Sequence, residues 1–588
     1  MIRMPRARVL ATMVALTPYL AACSSSQTGS PAAATSAAEL PASDAAGVPS
    51  RTGLVVSTSS IASDVGADIL HRGGNAVDAA VATAFALAVT HPSAGNIGGG
   101  GFMVVRLANG DAVTIDYREK APLASTPTMY LDATGKIDRS LTATGYLAPG
   151  VPGTVRGLET AHKRFGKLAW RDVVMPAVDL AEKGFVMTDG FARGLSSEVS
   201  GRMSRYPASV AAYGKPGGGS WAGGDRLVLP DLAKTLRTIA TNGADGFYTG
   251  WVADAIADDM RANGGIITKP DLAQYQAKVR APVRGTFRGY EVISMPPPSS
   301  GGVAMIQMLN ILENFDLKSQ GRYSPETLHL MIEATRRAFL DRARYLGDPD
   351  FVDIPVQRLM SKDYARTLAQ GIDRTRASSS VELGKDIVTI AESESEETTH
   401  FSVIDKDGNA VSNTYTLEGS YGSHVVVKGA GFILNNEMGD FNKKPGETNV
   451  GGDIGTPANL IAPGKRMLSS MTPAIVTRDG KVVLVTGSPG GRTIINTVFD
   501  IVLNVTEFGM NAREAVDAPR MHHQWLPDNT TLEANAVPAA TLERLKAMGH
   551  DIRMAGGQGD GESILVDLRT GIAYGANDKR SRDSKASK

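Results

Sequence analysis

The chain has 588 residues, 42% of them hydrophobic and 21% charged, and its 61 Lys and Arg are balanced by 61 Asp and Glu. That composition is globular and long enough for several domains or one large layered body. Its zero formal net charge argues against nucleic acid or another polyanionic surface as partner. A small-molecule partner is the default, and the single cysteine, Cys23, excludes a disulfide within one chain.

Arg3, Arg6 and Arg8 form a basic leader, and Val9 to Ala22 is apolar but too short to span a bilayer. Residues 1–22 therefore read as a signal peptide. Leu20-Ala21-Ala22-Cys23 resembles a bacterial lipobox, which implies cleavage before Cys23 and lipid attachment to it. The expectation is an exported lipoprotein anchored on the outer side of the cell membrane, periplasmic or at the cell surface. Residues 23–50, rich in Ser, Ala, Pro and Gly, have the composition of a flexible tether.

The folded part is expected to begin near Gly53-Leu54-Val55-Val56-Ser57, a short apolar strand, with a helix from Ser63 to His71. Asn75 opens a second helix whose run from Ala79 to Val89 is apolar but for Thr83, so it should be buried on nearly all sides. After the cluster Gly98 to Gly101, strands 102–107 and 112–117 meet at Asn109-Gly110, a strong hairpin signal. The middle third reads as helical, over 170–183, 231–241 and 251–262. Another helix opens at Ser324-Pro325-Glu326, with Ser324 as N-cap and Pro325 in the first helical position. Its charged residues Arg336, Arg337, Asp341 and Arg342 read as a solvated face. Beyond residue 398 strands are expected at 400–404, 410–417, 431–434, 474–477 and 482–486, the last pair meeting at Asp479-Gly480.

Thr398-Thr399-His400-Phe401-Ser402 follows the acidic run Glu392-Ser393-Glu394-Ser395-Glu396-Glu397. A threonine hydroxyl is a weak nucleophile until a base stands beside it. A free α-amine, with a pKa of about 7.7–8.0, is such a base at neutral pH. Thr398 gains that amine only if the bond between Glu397 and Thr398 is broken. Gly487-Ser488-Pro489-Gly490-Gly491 leads from a strand into a helix, an arrangement that turns backbone N–H groups outward. It lacks the Gly-Lys pair of a phosphate loop, whereas such donors suit a developing oxyanion, at about 2.7–4 kcal/mol of barrier each. His522-His523 has no acidic or Cys partner spaced for zinc and reads as structural, as does His400, so no metal is expected.

Four small-chain motifs, Thr398 to Ser402, Asn435-Asn436-Glu437-Met438-Gly439-Asp440-Phe441, Lys465 to Met471 and Gly487 to Gly491, resemble the γ-glutamyltransferase (γ-glutamyl transpeptidase) family in order and spacing. So do Gly73 to Ala80, Gly95 to Phe102 and Asp116-Tyr117-Arg118-Glu119, and the likeness runs from about Gly53 to Asn577. The resemblance implies an α+β fold, the four-layer α-β-β-α sandwich of the N-terminal nucleophile hydrolases. It also implies self-cleavage into a large chain, 51–397, and a small chain, 398–588, intertwined as a heterodimer.

Carried onto this sequence, the resemblance makes Thr398 the nucleophile of both cleavage and turnover, with Thr416 assisting and Gly490 and Gly491 as oxyanion donors. Arg118, Ser469 and Ser470 match a clamp for the donor's α-carboxylate; Glu418, Glu437 and Asp440 match the holders of its ammonium. An amino-acid end needs such a pair, an Arg fork with hydroxyls on one side and carboxylates on the other. Glu437 stands where many relatives have Gln and Glu418 where some have Asn, so one of three crowded acids is expected to be protonated. Residues 443–465 are long enough for the lid some bacterial members carry, but Gly451 replaces an aromatic gate, which implies a more open site.

The expected activity is transfer of γ-glutamyl groups from glutathione and related compounds to water, amino acids or dipeptides, with no cofactor. Two alternatives stand beside it. A sister acylase would use the same machinery on glutaryl or cephalosporin-type amides, and a catalytically silent lipoprotein would bind γ-glutamyl compounds without being cleaved.

Overall fold

The computed structural model describes residues 45–388, 398–534 and 537–588. Residues 1–22, expected to be a signal peptide, and Cys23 and Glu397 lie outside the described residues. Two seven-stranded sheets organise the body formed by residues 43–588. The first runs, edge to edge, through Lys585–Ser587, Gly53–Ser57, Thr399–Asp405, Ala410–Thr416, Gly100–Arg106, Ala112–Asp116 and Lys278–Arg280. The second runs through Val48–Ser50, Ile572–Ala576, Ser563–Asp567, Lys481–Thr486, Ala474–Arg478, Tyr290–Ser294 and Val283–Phe287. Every paired register in both is antiparallel.

The period-two alternation of strand side chains explains why the sheets stack. Leu54, Val56, Val104 and Ile404 of the first sheet join Ile293, Ile475, Val485 and Ile564 of the second in one apolar cluster between them. The alternate residues Val55, Met103, Val105, Phe401 and Val411 face the other way, into a cluster with the helix Ala76–Thr90 and its neighbours. Val292, Val476 and Leu484 of the second sheet pack with the helices Gly301–Leu312, Pro325–Tyr345 and Thr493–Thr506. Strands hydrophobic on both faces must be covered on both; helix, sheet, sheet and helix layers follow, the expected α+β sandwich.

Local signals hold where chain chemistry alone decides. Asn75 caps its helix through a capping box with Asp78, and all fifteen residues of that helix are buried. Ser324 accepts from the Thr327 N–H, and Pro325 opens a 21-residue helix. At the Asp479-Gly480 hairpin both residues have positive φ, 50° and 72°, the twist two-residue hairpins favour.

Three expectations are corrected. The tether does not extend to residue 50, because Val48–Ser50 pairs with the strand Ile572–Ala576 as an edge of the second sheet. Residues 431–434 form no strand, since only a single bridge, Val426 to Ile433, closes there. The helix face carrying Arg336, Arg337 and Asp341 is buried, not solvated. Glu333, one turn earlier, accounts for this: its Oε1 accepts from Arg336 Nε at 3.3 Å and its Oε2 from Arg337 Nη1 at 2.5 Å. Burial works against that carboxylate, but the two guanidinium groups outweigh it and hold its pKa down to about 2.

Candidate active site

Thr398 stands just ahead of the strand Thr399–Asp405, in the middle of the first sheet. Thr399 pairs with Tyr415, which brings Thr398 opposite Thr416 at the end of the neighbouring strand. The Thr416 hydroxyl donates to Thr398 Oγ1 at 3.4 Å and accepts from the Glu418 N–H at 2.8 Å. Thr399 is tied by its own hydroxyl to Thr58 Oγ1 at 2.8 Å. That tie was invisible in sequence, since the two residues are 341 positions apart.

The glycine loop is held against this strand by His400. A Cβ on Gly487 would lie 2.2 Å from the imidazole, so only glycine lets the loop close over the ring. His400 is bonded through Nδ1 to Thr414 Oγ1 at 2.8 Å and through Nε2 to Ser402 Oγ at 3.1 Å. Burial lowers its pKa to about 3, so it stays neutral and acts as a spacer between nucleophile strand and loop. Gly490 and Gly491 take φ of 124° and 52°, left-handed geometry that glycine adopts without strain. Their carbonyls accept from Thr493 N at 3.0 Å and Ile494 N at 3.2 Å as the helix Thr493–Thr506 begins.

Behind this loop lies a buried acid pair. The Asp560 N–H donates to Ser488 Oγ at 2.9 Å, and Glu562 C=O accepts from Ser402 Oγ at 2.7 Å. The Glu562 carboxyl is buried, and it and the Asp560 carboxyl lie within hydrogen-bonding reach of each other. Burial, and then the neighbouring acids, push Asp560 up to about 7 and Glu562 well above the usual carboxylate range. A folded state with raised acid pKa values holds more protons than the unfolded chain from the ordinary carboxylate range up to those values. Stability is therefore lost as pH rises through that window. Glu562→Gln should flatten the loss: melting by calorimetry should show the variant roughly 1–3 °C above the wild type at pH 8 and the gap closing at pH 5. A gap independent of pH would contradict the protonated pair.

At the other end of the site, Arg118 follows the strand Ala112–Asp116 and is fully buried. It bonds directly to Glu437 and Asp440, and its Nε and Nη2 reach the carbonyls of Met467 at 3.3 Å and Leu468 at 3.2 Å. Burial opposes its charge, but Glu437, Asp440 and Glu119 more than compensate and raise its pKa above the ordinary value. Burial also drives Glu437 and Glu119 upward, with mutual repulsion adding to it and Arg118 pulling back. The crowding expected from sequence therefore shows as raised carboxyl pKa values, and Glu119, at the end of the Asp116 to Glu119 motif, belongs to it.

Glu418 sits at a positive φ of 78°, a conformation uncommon outside glycine. Ser469 Oγ accepts from the Met471 N–H at 3.1 Å, and Ser470 Oγ accepts from Arg342 Nη2 at 3.1 Å. Arg342, expected on a solvated helix face, instead lines the cavity and also donates through Nε to Ser300 Oγ at 2.9 Å. Asn435 and Asn436 are loop ties: Asn435 bonds the Gly98 and Gly150 backbones, and Asn436 Oδ1 accepts from the Gly419 N–H.

One cavity of about 1170 Å³ gathers Thr398, Thr416, Arg118, Glu418, Glu437, Asp440, Ser469, Ser470 and Gly491. Gly490, the residue before Gly491, is not among the residues that line it. Gly451, on the 443–465 segment, also faces this cavity, and the segment is tied across it by Arg139 to Asp453 at 2.6 Å and by Arg492 Nη1 to the Gly452 carbonyl at 3.0 Å. His522 Nδ1 is hydrogen-bonded to Asn496 at 2.7 Å and His523 Nδ1 to the Asn529 carbonyl at 2.8 Å. Among the described residues, His329, Glu333 and His550 form a cluster of metal-ligating types within 4.8 Å. Its Glu333 is already neutralised by Arg336 and Arg337, so a cation there would face two fixed positive charges.

A nucleophile-type hydroxyl, an N–H loop and an Arg–carboxylate clamp in one cavity can take hold of an amino-acid end and act on an acyl group beyond it. The family model for gamma-glutamyltranspeptidase matches residues 62–587. Among similar proteins, a glutathione hydrolase proenzyme of Escherichia coli (strain K12) is 49% identical over 91% of this chain and 92% of its own length. The Acylase ACY 1 proenzyme of Pseudomonas sp. (strain SE83) is 41% identical over 86% of this chain and 88% of its own. The crystal structure of a cephalosporin acylase from Bacillus halodurans superposes with a TM-score of 0.81 at 26% identity, covering 94% of this chain and 99% of that one. With the family model spanning most of its length and relatives of this similarity, the chain belongs to the γ-glutamyltranspeptidase family.

Proposed function

We infer that this protein is a γ-glutamyltransferase and glutathione hydrolase that matures by cutting itself between Glu397 and Thr398. In the matured form the Thr398 hydroxyl attacks the γ-carbonyl carbon of a γ-glutamyl amide and gives its proton to its own α-amine. The oxyanion formed is held by the N–H groups of Gly490 and Gly491. The C–N bond then breaks, the leaving amine takes the proton from the α-ammonium, and a γ-glutamyl ester of Thr398 remains. Water or an acceptor amine resolves that ester by the same steps in reverse order. Thr416, bonded to the Thr398 hydroxyl, orients it. Arg118 with Ser469 and Ser470 holds the donor's carboxylate, and Glu418, Glu437 and Asp440 hold its ammonium. Export and a lipid on Cys23 would place this activity outside the cell membrane, in contact with extracytoplasmic peptides.

The observation that carries this reading is the union of Arg118 with Glu437 and Asp440 in the cavity that Thr398 lines. A site for glutaryl amides has no ammonium to hold, so three carboxylates around its clamp would be a cost without a function. The acylase alternative is favoured by the likeness to named acylases, and one assay separates the two. Purified protein is given glutathione with glycylglycine, or a glutaryl amide, and products are followed by mass. Glutathione should be consumed with kcat/KM at least about a hundredfold above the glutaryl amide, as a site that binds a charged group discriminates against its absence. The opposite ratio selects the acylase, and turnover of neither by an uncleaved chain selects the silent binding lipoprotein.

A further inference from the structure

The cavity is larger than a γ-glutamyl group requires, and its charge is uneven. At about 1170 Å³ it exceeds the roughly 300–1000 Å³ that enclose a drug-sized ligand. Glu437 and Asp440 stand on Arg118 with Glu418 acting on Glu437, whereas arginine and lysine outnumber carboxylates eight to five around the whole lining. Some of these cations are already paired. Arg139 is bonded to Asp453 at 2.6 Å, and Lys444 to Glu447 at 2.6 Å.

Arg202 and Arg205 are different. Both line the cavity, both are exposed, and neither has a hydrogen-bond or ion-pair partner among the described residues. They lie on the short 3₁₀ helix Arg202–Arg205, where three residues complete a turn and side chains three apart eclipse. The helix thus sets the two side chains on one side of the turn. Met203 between them is buried and anchors the turn. The next residue, Tyr206, fixes it to the cavity wall: its hydroxyl bonds Thr144 Oγ1 at 2.9 Å, and Thr144 lines the same cavity. The pair is therefore a placed feature of the wall, with two planar donors that suit a carboxylate.

We propose that Arg202 and Arg205 form the subsite for the carboxylate at the far end of the substrate. That carboxylate belongs to the peptide leaving from the donor, and to the acceptor peptide that takes its place. The proposal rests on the γ-glutamyl-transfer reading above and deepens it. Arg118 takes the α-carboxylate of the γ-glutamyl group itself; a second carboxylate, beyond the scissile amide, is repelled by the acids around Arg118 and drawn to the unpaired arginines. The site would then prefer γ-glutamyl peptides ending in a free carboxylate over γ-glutamyl compounds whose leaving group is uncharged.

The test compares glutathione with γ-glutamyl-p-nitroanilide, whose leaving group has no carboxylate, in the wild type and in Arg202→Gln/Arg205→Gln. The ratio of kcat/KM for glutathione to that for the anilide should fall about three- to tenfold in the variant, in KM more than in kcat. Arg202→Glu/Arg205→Glu should lower it further. In the wild type the ratio should also fall with added salt, and in the double glutamine variant it should not. Release of the small chain, read by intact mass, checks that each variant folds and matures. A ratio that stays at the wild-type value in both variants overturns the subsite while leaving the transfer reading intact. A matured wild type that turns over neither substrate overturns the transfer reading and the subsite with it.

Discussion

Thr398→Ala should leave the chain in one piece and without turnover. The hydroxyl stands just ahead of the strand Thr399–Asp405, beside Thr416 in the cavity, and the same atom is asked to cut the chain and to carry the acyl group. Its removal should therefore abolish both, with turnover reduced by about 10⁴-fold or more, as when a nucleophile that acts within a unit is lost. Intact mass after incubation at neutral pH reads this directly. The wild type should give a small chain beginning at Thr398, and a large chain from the membrane fraction should begin at Cys23 with the added mass of lipid. Thr398→Ala should give neither cleavage nor glutathione consumption. Cleavage at the same bond in the alanine variant would remove Thr398 from the mechanism, and a large chain of unlipidated mass would remove the anchor.

The second large effect is expected at Arg118. Arg118→Lys keeps the positive charge among Glu119, Glu437 and Asp440 but loses the planar fork, so a carboxylate can no longer be gripped at two points. A loss of roughly 10²–10³ in kcat/KM for glutathione is expected, about 2.7–4 kcal/mol, carried largely by KM. Arg118→Ala would go further and strip the buried Glu119 and Glu437, and the exposed Asp440, of their counter-charge, which for a buried ion pair costs about 3–5 kcal/mol when the partners stay charged. Glu119 and Glu437 already have raised pKa values, so they can neutralise by protonation and the protein should still fold at mildly acid pH. Small-chain release separates the outcomes: an Arg118→Lys protein that matures normally but binds glutathione poorly supports the clamp. A variant that matures and keeps wild-type KM refutes it.

Much of this site was legible in the chain because its parts are local. The Thr398 strand start, the Gly487 to Gly491 loop and the Arg118 motif are each short segments whose residue types suit one task. Their likeness to a family supplied the order in which they combine. The sandwich was implied by that likeness, and the strands apolar on both faces and the helix buried on all sides are what its layers cover.

Other features were not legible, and each involves a partner far along the chain. The face of Arg336 and Arg337 was misjudged because charge on a helix is ordinarily solvated, and only packing reveals that Glu333 and Ser378 take up the charges. Arg342 was misplaced with them, though it reaches Ser470, 128 residues on. Thr58 carries no signal at all, and neither do the unpaired arginines of the 3₁₀ turn, whose meaning depends on which cavity they face.

By itself the sequence determined the capped helices, the hairpin turns and the glycine loop, because periodicity, capping and glycine geometry act over a few residues, and its motifs carried the resemblance that gave the family and fold class. Only the tertiary structure decided the rest. It brought Glu119 into the acid cluster around Arg118, set His400 against Gly487 as a spacer, and joined Val48–Ser50 to a sheet edge. Those outcomes follow from burial and from contacts between distant segments, where the removal of water sets which charges are paired, which acids keep their protons and which cations remain for a substrate.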